Sequence, residues 1–400
     1  MNKILQQKSH KGEHRISICG SKSESNRLLI IQALYNKLNI QNLSTSDDTQ
    51  VLKAALSSDK DLIDIHHAGT AMRFLTAYYA CFTIKTVTLT GSERMQQRPI
   101  KILVDGLLQL GAKIEYINNE GYPPLKIYPV KLKQNKLNIR ADTSSQYISA
   151  LMLVAPKLKE GLQINFTSKI TSLPYLKMTQ KLMQNLGFEI NFDSKSINIK
   201  PKNHFETQTI KVESDWSSAS YYYSLVALSS DLKLNLSTFK NDSLQGDSKL
   251  VDLYSSLGVK TTFKGDSIIL ENSNKTPLGV YSQNLNHTPD LAQTIAVTCL
   301  GLGISCQLSG LHTLKIKETD RLVALKNEME KFGASVQIDN DHLHMTPPKT
   351  LNSNPTVNTY NDHRMAMAFA PLKTKTNLII RDPEVVGKSY PEFWKDFENI

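Results

Sequence analysis

The sequence predicts an α+β protein in two halves, with helices packed on mixed sheets, and three observations lead there. Four segments resemble one another: Leu110-Gly111-Ala112-Lys113-Ile114, Leu186-Gly187-Phe188-Glu189-Ile190, Leu257-Gly258-Val259-Lys260-Thr261 and Phe332-Gly333-Ala334-Ser335-Val336. Their glycines lie 76, 71 and 75 residues apart, the mark of one supersecondary unit used repeatedly, with two copies recognisable in each half. Each segment follows a stretch of helical period and precedes an alternating, β-branched stretch, so each reads as helix, glycine C-cap, strand. Degenerate copies are expected between them. The polar, proline-containing stretch 191–206 separates the halves, although Ile197 and Ile199 keep a strand within it, and the domain boundary falls near Glu213.

Four hundred residues suffice for two domains, each burying its own core, filled mainly by aliphatic side chains. The formal charge of +10 favours acidic partners, among them nucleic acid, an anionic membrane surface and small polyanions. Nucleic-acid binding would require cations in patches interleaved with aromatics, whereas here they stand singly at helix starts. Cys19, Cys81, Cys299 and Cys306 form no C-x-x-C pair, which fits unpaired thiols in a reducing compartment and makes the cytosol the expected location. Residues 1–8 have no apolar core of a leader, and no run of eighteen apolar residues occurs later, so secretion and membrane spanning are not expected.

In chain order, Gly20-Ser21-Lys22-Ser23-Glu24-Ser25-Asn26-Arg27 leads into the apolar run 28–34. Serine N-caps, free backbone N–H groups, the positive end of a helix dipole, Lys22 and Arg27 together make a place for a phosphate or carboxylate. The spacing is not that of a P-loop, so triphosphate binding is not implied. His66-His67-Ala68-Gly69-Thr70-Ala71-Met72-Arg73 repeats that design: Gly69 lets a ligand approach the backbone, Thr70 is the expected cap, and Arg73 lies one turn in. The two adjacent histidines, read as strand residues, point to opposite faces and share no metal. The segment 91–99 places Arg94 and Arg98 before a helix whose first turn takes Pro99. Ser144, Ser145 and Gln146 open the next apolar helix, and Thr171-Ser172-Leu173-Pro174 another. Asp215-Trp216-Ser217-Ser218 and His287-Thr288-Pro289-Asp290 do the same in the second half. Lys317 and Arg321, spaced i, i+4 with Glu318 between, read most simply as a solvated helix face. Tyr360-Asn361-Asp362-His363-Arg364-Met365-Ala366-Met367 opens a helix with consecutive polar groups, and Lys388-Ser389-Tyr390-Pro391 sets a cation before the last one. His342 and His344 lie beside Asp339-Asn340-Asp341, which has the composition of a hairpin turn rather than a calcium loop.

With these motifs in this order, the sequence resembles the enolpyruvyl transferases that make 5-enolpyruvylshikimate 3-phosphate, from about residue 15 to residue 395. The resemblance implies a two-domain enolpyruvyl transferase fold, each domain three βαβαββ units in an inside-out, barrel-like arrangement. It places residues 1–19 with 214–400 in one domain and 20–213 in the other, closing around the substrates in the cleft between them. It implies transfer of the carboxyvinyl group of phosphoenolpyruvate to the 5-hydroxyl of shikimate 3-phosphate, with no metal, no organic cofactor and a monomeric protein. By resemblance, Lys22, Ser23, Arg27, Ser144, Ser145, Gln146, Ser172, Asp290 and Lys317 hold shikimate 3-phosphate. Lys22, Gly69, Arg98, Gln146, Arg321, Arg364 and Lys388 hold phosphoenolpyruvate. Asp290 is the expected base for the hydroxyl, with Lys22 and Glu318 as proton carriers for the vinyl group and the leaving phosphate. Eight cations, Arg73 included, less Asp290 and Glu318, would leave the site at net +6, against about five to six negative charges on the two substrates.

His67, Phe74, Leu173 and Thr313 depart from commoner residues beside these positions, which bears on affinity and on the family's inhibition by glyphosate rather than on the reaction. The sister transferases acting on UDP-N-acetylglucosamine usually carry a reactive cysteine in the loop corresponding to 91–98, where this chain has none.

Overall fold

The chain forms two units, Met1–Cys19 with Glu213–Ile400 and Gly20–Val212, in a computed structural model that describes residues 1–273 and 279–400. Within Gly20–Val212, strands Leu62–Asp64, Val87–Thr90, Lys113–Tyr116 and Leu125–Tyr128 form one sheet in the order first, second, fourth, third. The first two run parallel, the last two make an antiparallel hairpin, and the helices Gly69–Phe82 and Lys101–Gln109 make the crossovers. The same order recurs in strands Lys136–Ile139, Leu162–Phe166, Ile190–Phe192 and Ser196–Ile199, with helices Ser145–Val154 and Leu173–Asn185. The other unit repeats it twice, from Lys11–Ile16 through Ser267–Asn272 and from Val280–Asn284 through Leu343–Thr346.

The four sequence repeats occupy one position in these four copies. Gly111, Gly187, Gly258 and Gly333 have φ of +95°, +78°, +86° and +94°, and each ends a helix just before the third strand. A side chain would be strained there, and glycine is not. The residue before each, Leu110, Leu186, Leu257 or Phe332, is buried and plugs the helix end into the core. The degenerate copies are shorter: the parallel pair Leu38–Gln41 and Gln208–Lys211, and the three-stranded sheet of Asn2–Leu5, Leu378–Arg381 and Thr356–Val357. They carry no such glycine because they lack the full third-and-fourth-strand hairpin.

Each unit has its own apolar core. Aliphatics dominate in both, as expected, and the unit of Met1–Cys19 with Glu213–Ile400 also buries Trp216, Tyr221, Tyr222, Tyr223, Tyr254, Tyr390 and Phe393. Four of these tyrosine hydroxyls are partnered, Tyr222 with Tyr390 at 2.9 Å, Tyr254 with Thr298 at 2.8 Å and Tyr223 with Thr261 at 2.9 Å. Among the described residues no helix is long and apolar enough to cross a membrane. Cys299 and Cys306 are buried, and Cys19 and Cys81 half-buried.

Candidate active site

In Gly20–Val212, the helix Lys22–Tyr35 begins where expected. Ser21 is its N-cap and accepts from the Glu24 N–H at 3.5 Å. Arg27, one turn in, is buried, and its guanidinium donates to Thr179 Oγ1 at 2.7 Å, the Ser23 carbonyl at 2.7 Å, Ser149 Oγ at 3.3 Å and the Tyr175 carbonyl at 3.4 Å. Burial among these neutral acceptors brings its pKa down to about 10, although Tyr175 and Glu24 act the other way, and at neutral pH it stays a cation. Lys22 Nζ lies 3.4 Å from Oδ2 of the buried Asp48.

The turn at 144–146 has Ser144 as N-cap, accepting from the Gln146 N–H at 3.3 Å, and Gln146 Nε2 donates to Thr70 Oγ1 at 3.3 Å. The Thr171 N–H bonds the Ala141 carbonyl at 3.0 Å and ties the following turn to this one. Ser172 there caps the helix Leu173–Asn185 in a left-handed conformation, φ +54°, without a side-chain cap bond. Gly69 and Arg98 meet: a Cβ built on Gly69 would lie 2.5 Å from Arg98 Nη1.

Several local expectations change. Ala68, not Thr70, precedes the helix Gly69–Phe82, so the Thr70 hydroxyl is free to take Gln146 instead of capping. His66 is not on a strand; it turns at φ +49° and lies 3.6 Å from Asp64. The loop after Gly91 folds into its own short helix, Glu93–Gln96, capped by Ser92, and Pro99 falls before the helix Lys101–Gln109 rather than inside it. Arg73 is buried and braces this loop, donating to the carbonyls of Gly69 at 3.2 Å and Pro99 at 2.9 Å and to Met95 Sδ at 3.4 Å. It supports the turn that carries Gly69.

In the other unit the cations are gathered around carboxylates. Asp290 lies in the 3₁₀ turn Pro289–Leu291 that starts the helix Ala292–Leu302. Its Oδ1 is 3.0 Å from Arg321 Nη1 and 3.6 Å from Lys317 Nζ, and its Oδ2 is 3.0 Å from Arg364 Nη2. Arg364 Nη1 also reaches the Asp290 carbonyl at 3.1 Å. Arg321, 2% exposed, further binds Asp362 Oδ2 through Nε at 2.7 Å and Glu318 Oε2 through Nη2 at 2.8 Å. Glu318 Oε1 is 2.9 Å from Lys388 Nζ. Burial alone would raise the Asp290 carboxyl, but Arg364, Lys317 and Arg321 outweigh it and hold Asp290 well below the usual carboxylate range.

Lys317 and Arg321 do not share a solvated helix face. The helix is Arg321–Lys331 with Asp320 as N-cap, so Lys317 precedes it in extended backbone and Arg321, its first residue, points inward. Asp362 is the N-cap of His363–Phe369 and is fully buried against Arg321. It and Asp48 are counter-charges, to Arg321 and Lys22, that sequence reasoning missed. Both stand inside the singled-out stretches or beside helix caps, but nothing in spacing along the chain tells which cation each will meet. The hairpin at 339–342 is a turn as expected, with Asp339 Oδ1 accepting from the Asp341 and His342 N–H groups at 2.7 and 2.8 Å.

The family model described as EPSP synthase (3-phosphoshikimate 1-carboxyvinyltransferase) matches residues 52–397. A protein of Bacteroides fragilis named 3-phosphoshikimate 1-carboxyvinyltransferase is 45% identical over 386 residues, spanning 95% of this chain and 93% of its own. One of the same name from Cellvibrio japonicus is 35% identical over 416 residues, 96% of each. In fold, the chain is similar to the EPSP synthase of Acinetobacter baumannii, with TM-score 0.79 at 16% identity over 100% of this chain and 98% of that one. The enolpyruvyl transferase NikO of Streptomyces tendae gives 0.73 at 12% identity, covering 99% and 96%. With the family model matching most of its length and relatives aligned almost end to end, this chain belongs to the EPSP synthase family.

Proposed function

We propose that the chain transfers the carboxyvinyl group of phosphoenolpyruvate to the 5-hydroxyl of shikimate 3-phosphate and releases phosphate. The observation that carries this is the setting of Asp290, a carboxylate against Arg321, Arg364 and Lys317. Shikimate 3-phosphate is assigned to Lys22, Ser23, Arg27, Ser144, Ser145, Gln146, Ser172, Asp290 and Lys317. Phosphoenolpyruvate is assigned to Lys22, Gly69, Arg98, Gln146, Arg321, Arg364 and Lys388.

Held by three cations, Asp290 is a weak base. An anionic substrate that takes Arg321 and Arg364 as its own partners weakens their hold on the carboxylate and raises its proton affinity. Asp290 then accepts the proton of the 5-hydroxyl while that oxygen bonds to C2 of phosphoenolpyruvate, and the double-bond electrons take a proton at C3 from Glu318 or Lys22. In the tetrahedral adduct the new methyl group gives a proton back, the C2–O bond to phosphate breaks, and the departing oxygen is protonated. Binding and base activation are thereby coupled through the same two arginines.

Purified protein should release phosphate only when both shikimate 3-phosphate and phosphoenolpyruvate are present, and not with UDP-N-acetylglucosamine as acceptor. Silence with the first pair, or release with the second acceptor alone, would sink the assignment. The working form we assign is a cytosolic monomer, and a dimer in sedimentation velocity would overturn that part.

A further inference from the structure

Arg364 is held by more than Asp290. Its Nη2 donates to Ser217 Oγ at 3.3 Å, and the Ser217 hydroxyl in turn bonds Oδ2 of Asp247. Asp247 sits in the 3₁₀ turn Gly246–Lys249, buried, and its Oδ1 is enclosed without a hydrogen-bond partner. Ser217 has a single hydrogen. Because its oxygen accepts from the guanidinium, that hydrogen goes to Asp247, and a proton on Oδ2 would compete with it. A proton on the enclosed Oδ1 would find no acceptor. With Asp247 ionised the hydrogen bonds from Arg364 to Ser217 and from Ser217 to Asp247 are both made, while burial and the unpartnered Oδ1 oppose the charge.

We infer that Asp247 is a positioning residue for Arg364, acting through the Ser217 hydroxyl, and that it fixes the guanidinium for phosphoenolpyruvate only while it is a carboxylate. This rests on the reading of Arg364 as a phosphoenolpyruvate ligand. The groups facing Asp247 set where it changes state. Burial first, then the charge of Asp290, push its carboxyl up to about 7, with Asp215 acting the same way; Arg364 and the Ser217 bond pull it down. Asp247 therefore takes up its proton as the pH falls through neutrality, and Arg364 loses its second anchor.

The test is the pH dependence of KM for phosphoenolpyruvate in wild type, Asp247→Asn, Ser217→Ala and the double variant. The phosphate ionisation of the substrate, with a pKa of about 6, is common to all four and cancels in the ratios. At pH 8 each single variant should raise KM about tenfold with a smaller change in kcat, the difference from wild type should shrink towards pH 6, and the double variant should add nothing further. An Asp247→Asn profile parallel to wild type, an unchanged KM, or effects that multiply in the double variant would overturn the inference. If Asp247→Asn fails to fold, Ser217→Ala carries the same comparison.

Carboxyl-labelled aspartate followed by ¹³C NMR needs no turnover. One resonance should titrate near pH 7, vanish in Asp247→Asn and move to higher pH in Ser217→Ala. Absence of that resonance refutes the titration of Asp247, whereas its presence in a wild type that releases no phosphate refutes only the assigned reaction.

Discussion

Arg27 and Arg321 are equally buried, at 3% and 2% exposure, and equally saturated with hydrogen bonds, yet their surroundings are opposites. Arg27 is cradled by hydroxyls and carbonyls, and Arg321 by Asp290, Glu318 and Asp362. Burial among neutral groups lowers the pKa of Arg27, whereas the three carboxylates carry that of Arg321 upward against the same burial. A neutral cradle fixes the guanidinium and leaves its charge uncompensated, so an incoming anion competes only with neutral acceptors. A carboxylate cradle must be exchanged for the ligand, so binding there also changes the state of the displaced carboxylates. The first arrangement suits holding a substrate, and the second suits coupling binding to proton transfer.

The largest effect that distinguishes the two cradles is on stability. Asp362→Ala removes a fully buried anion from Arg321 and the N-cap of His363–Phe369, and loss of one partner from a buried pair costs about 3 to 5 kcal/mol. Thr179→Val removes one neutral acceptor of four from Arg27 and should cost about 1.5 to 3 kcal/mol. Urea midpoints of the two variants should therefore fall in that order. Equal losses, or the reverse order, would mean that the carboxylates contribute little net pairing.

Next in size is the effect on turnover. Asp290→Asn keeps the shape, removes the carboxylate proposed as the base and relieves Arg321, Arg364 and Lys317 of a competing anion. kcat should fall by about 10²-fold or more while KM for phosphoenolpyruvate holds or drops. A rise in KM with kcat intact would make Asp290 a scaffold for the arginines and move the base elsewhere.

The pH dependence of the folded state has a stated sign at Asp290. Its folded pKa lies below the unfolded value, so its contribution is present above the ordinary carboxylate range and is lost as the pH falls through the folded pKa.

Why some of this was legible in the sequence and some was not has a physical basis. The glycine of each full copy must adopt positive φ at a fixed place, so a local backbone demand wrote the repeat into the chain at Gly111, Gly187, Gly258 and Gly333. Helix starts at Ser21, Ser144 and Asp362 were legible for the same reason, since each accepts from a backbone N–H within three residues, whereas placing Lys317 on the helix passes over the cap at Asp320. Partners across the fold were not. Arg321 meets Asp362 forty-one residues away, and Arg27 meets Thr179 at a separation of 152, contacts that only tertiary packing creates. Arg73 shows the cost of reading charge without geometry, because an arginine at a ligand-like position is used to brace backbone carbonyls.

The smallest effect tests the phosphoenolpyruvate contacts proposed for Gly20–Val212. Gly69 is pinned from behind, its carbonyl accepting from Arg73 Nη1 at 3.2 Å, while the guanidinium of Arg98 covers its Cα. A methyl added there would lie 2.5 Å from Arg98 Nη1 and 3.0 Å from Cζ, and the fixed backbone cannot retreat, so the flexible side chain moves. Gly69→Ala should thus act by displacing Arg98, where the sequence alone predicts direct crowding of the ligand. Crowding of this order costs about 1 to 3 kcal/mol, or roughly 5- to 150-fold in KM for phosphoenolpyruvate. The inhibition constant of glyphosate should rise at least as much, since it is the longer molecule. Adding Gly69→Ala to Arg98→Ala separates the two routes: if the methyl works through Arg98, the second substitution changes KM little once the guanidinium is gone. If it still raises KM by its full single-variant factor, the methyl meets the ligand itself, and the contact between Gly69 and Arg98 is incidental to binding.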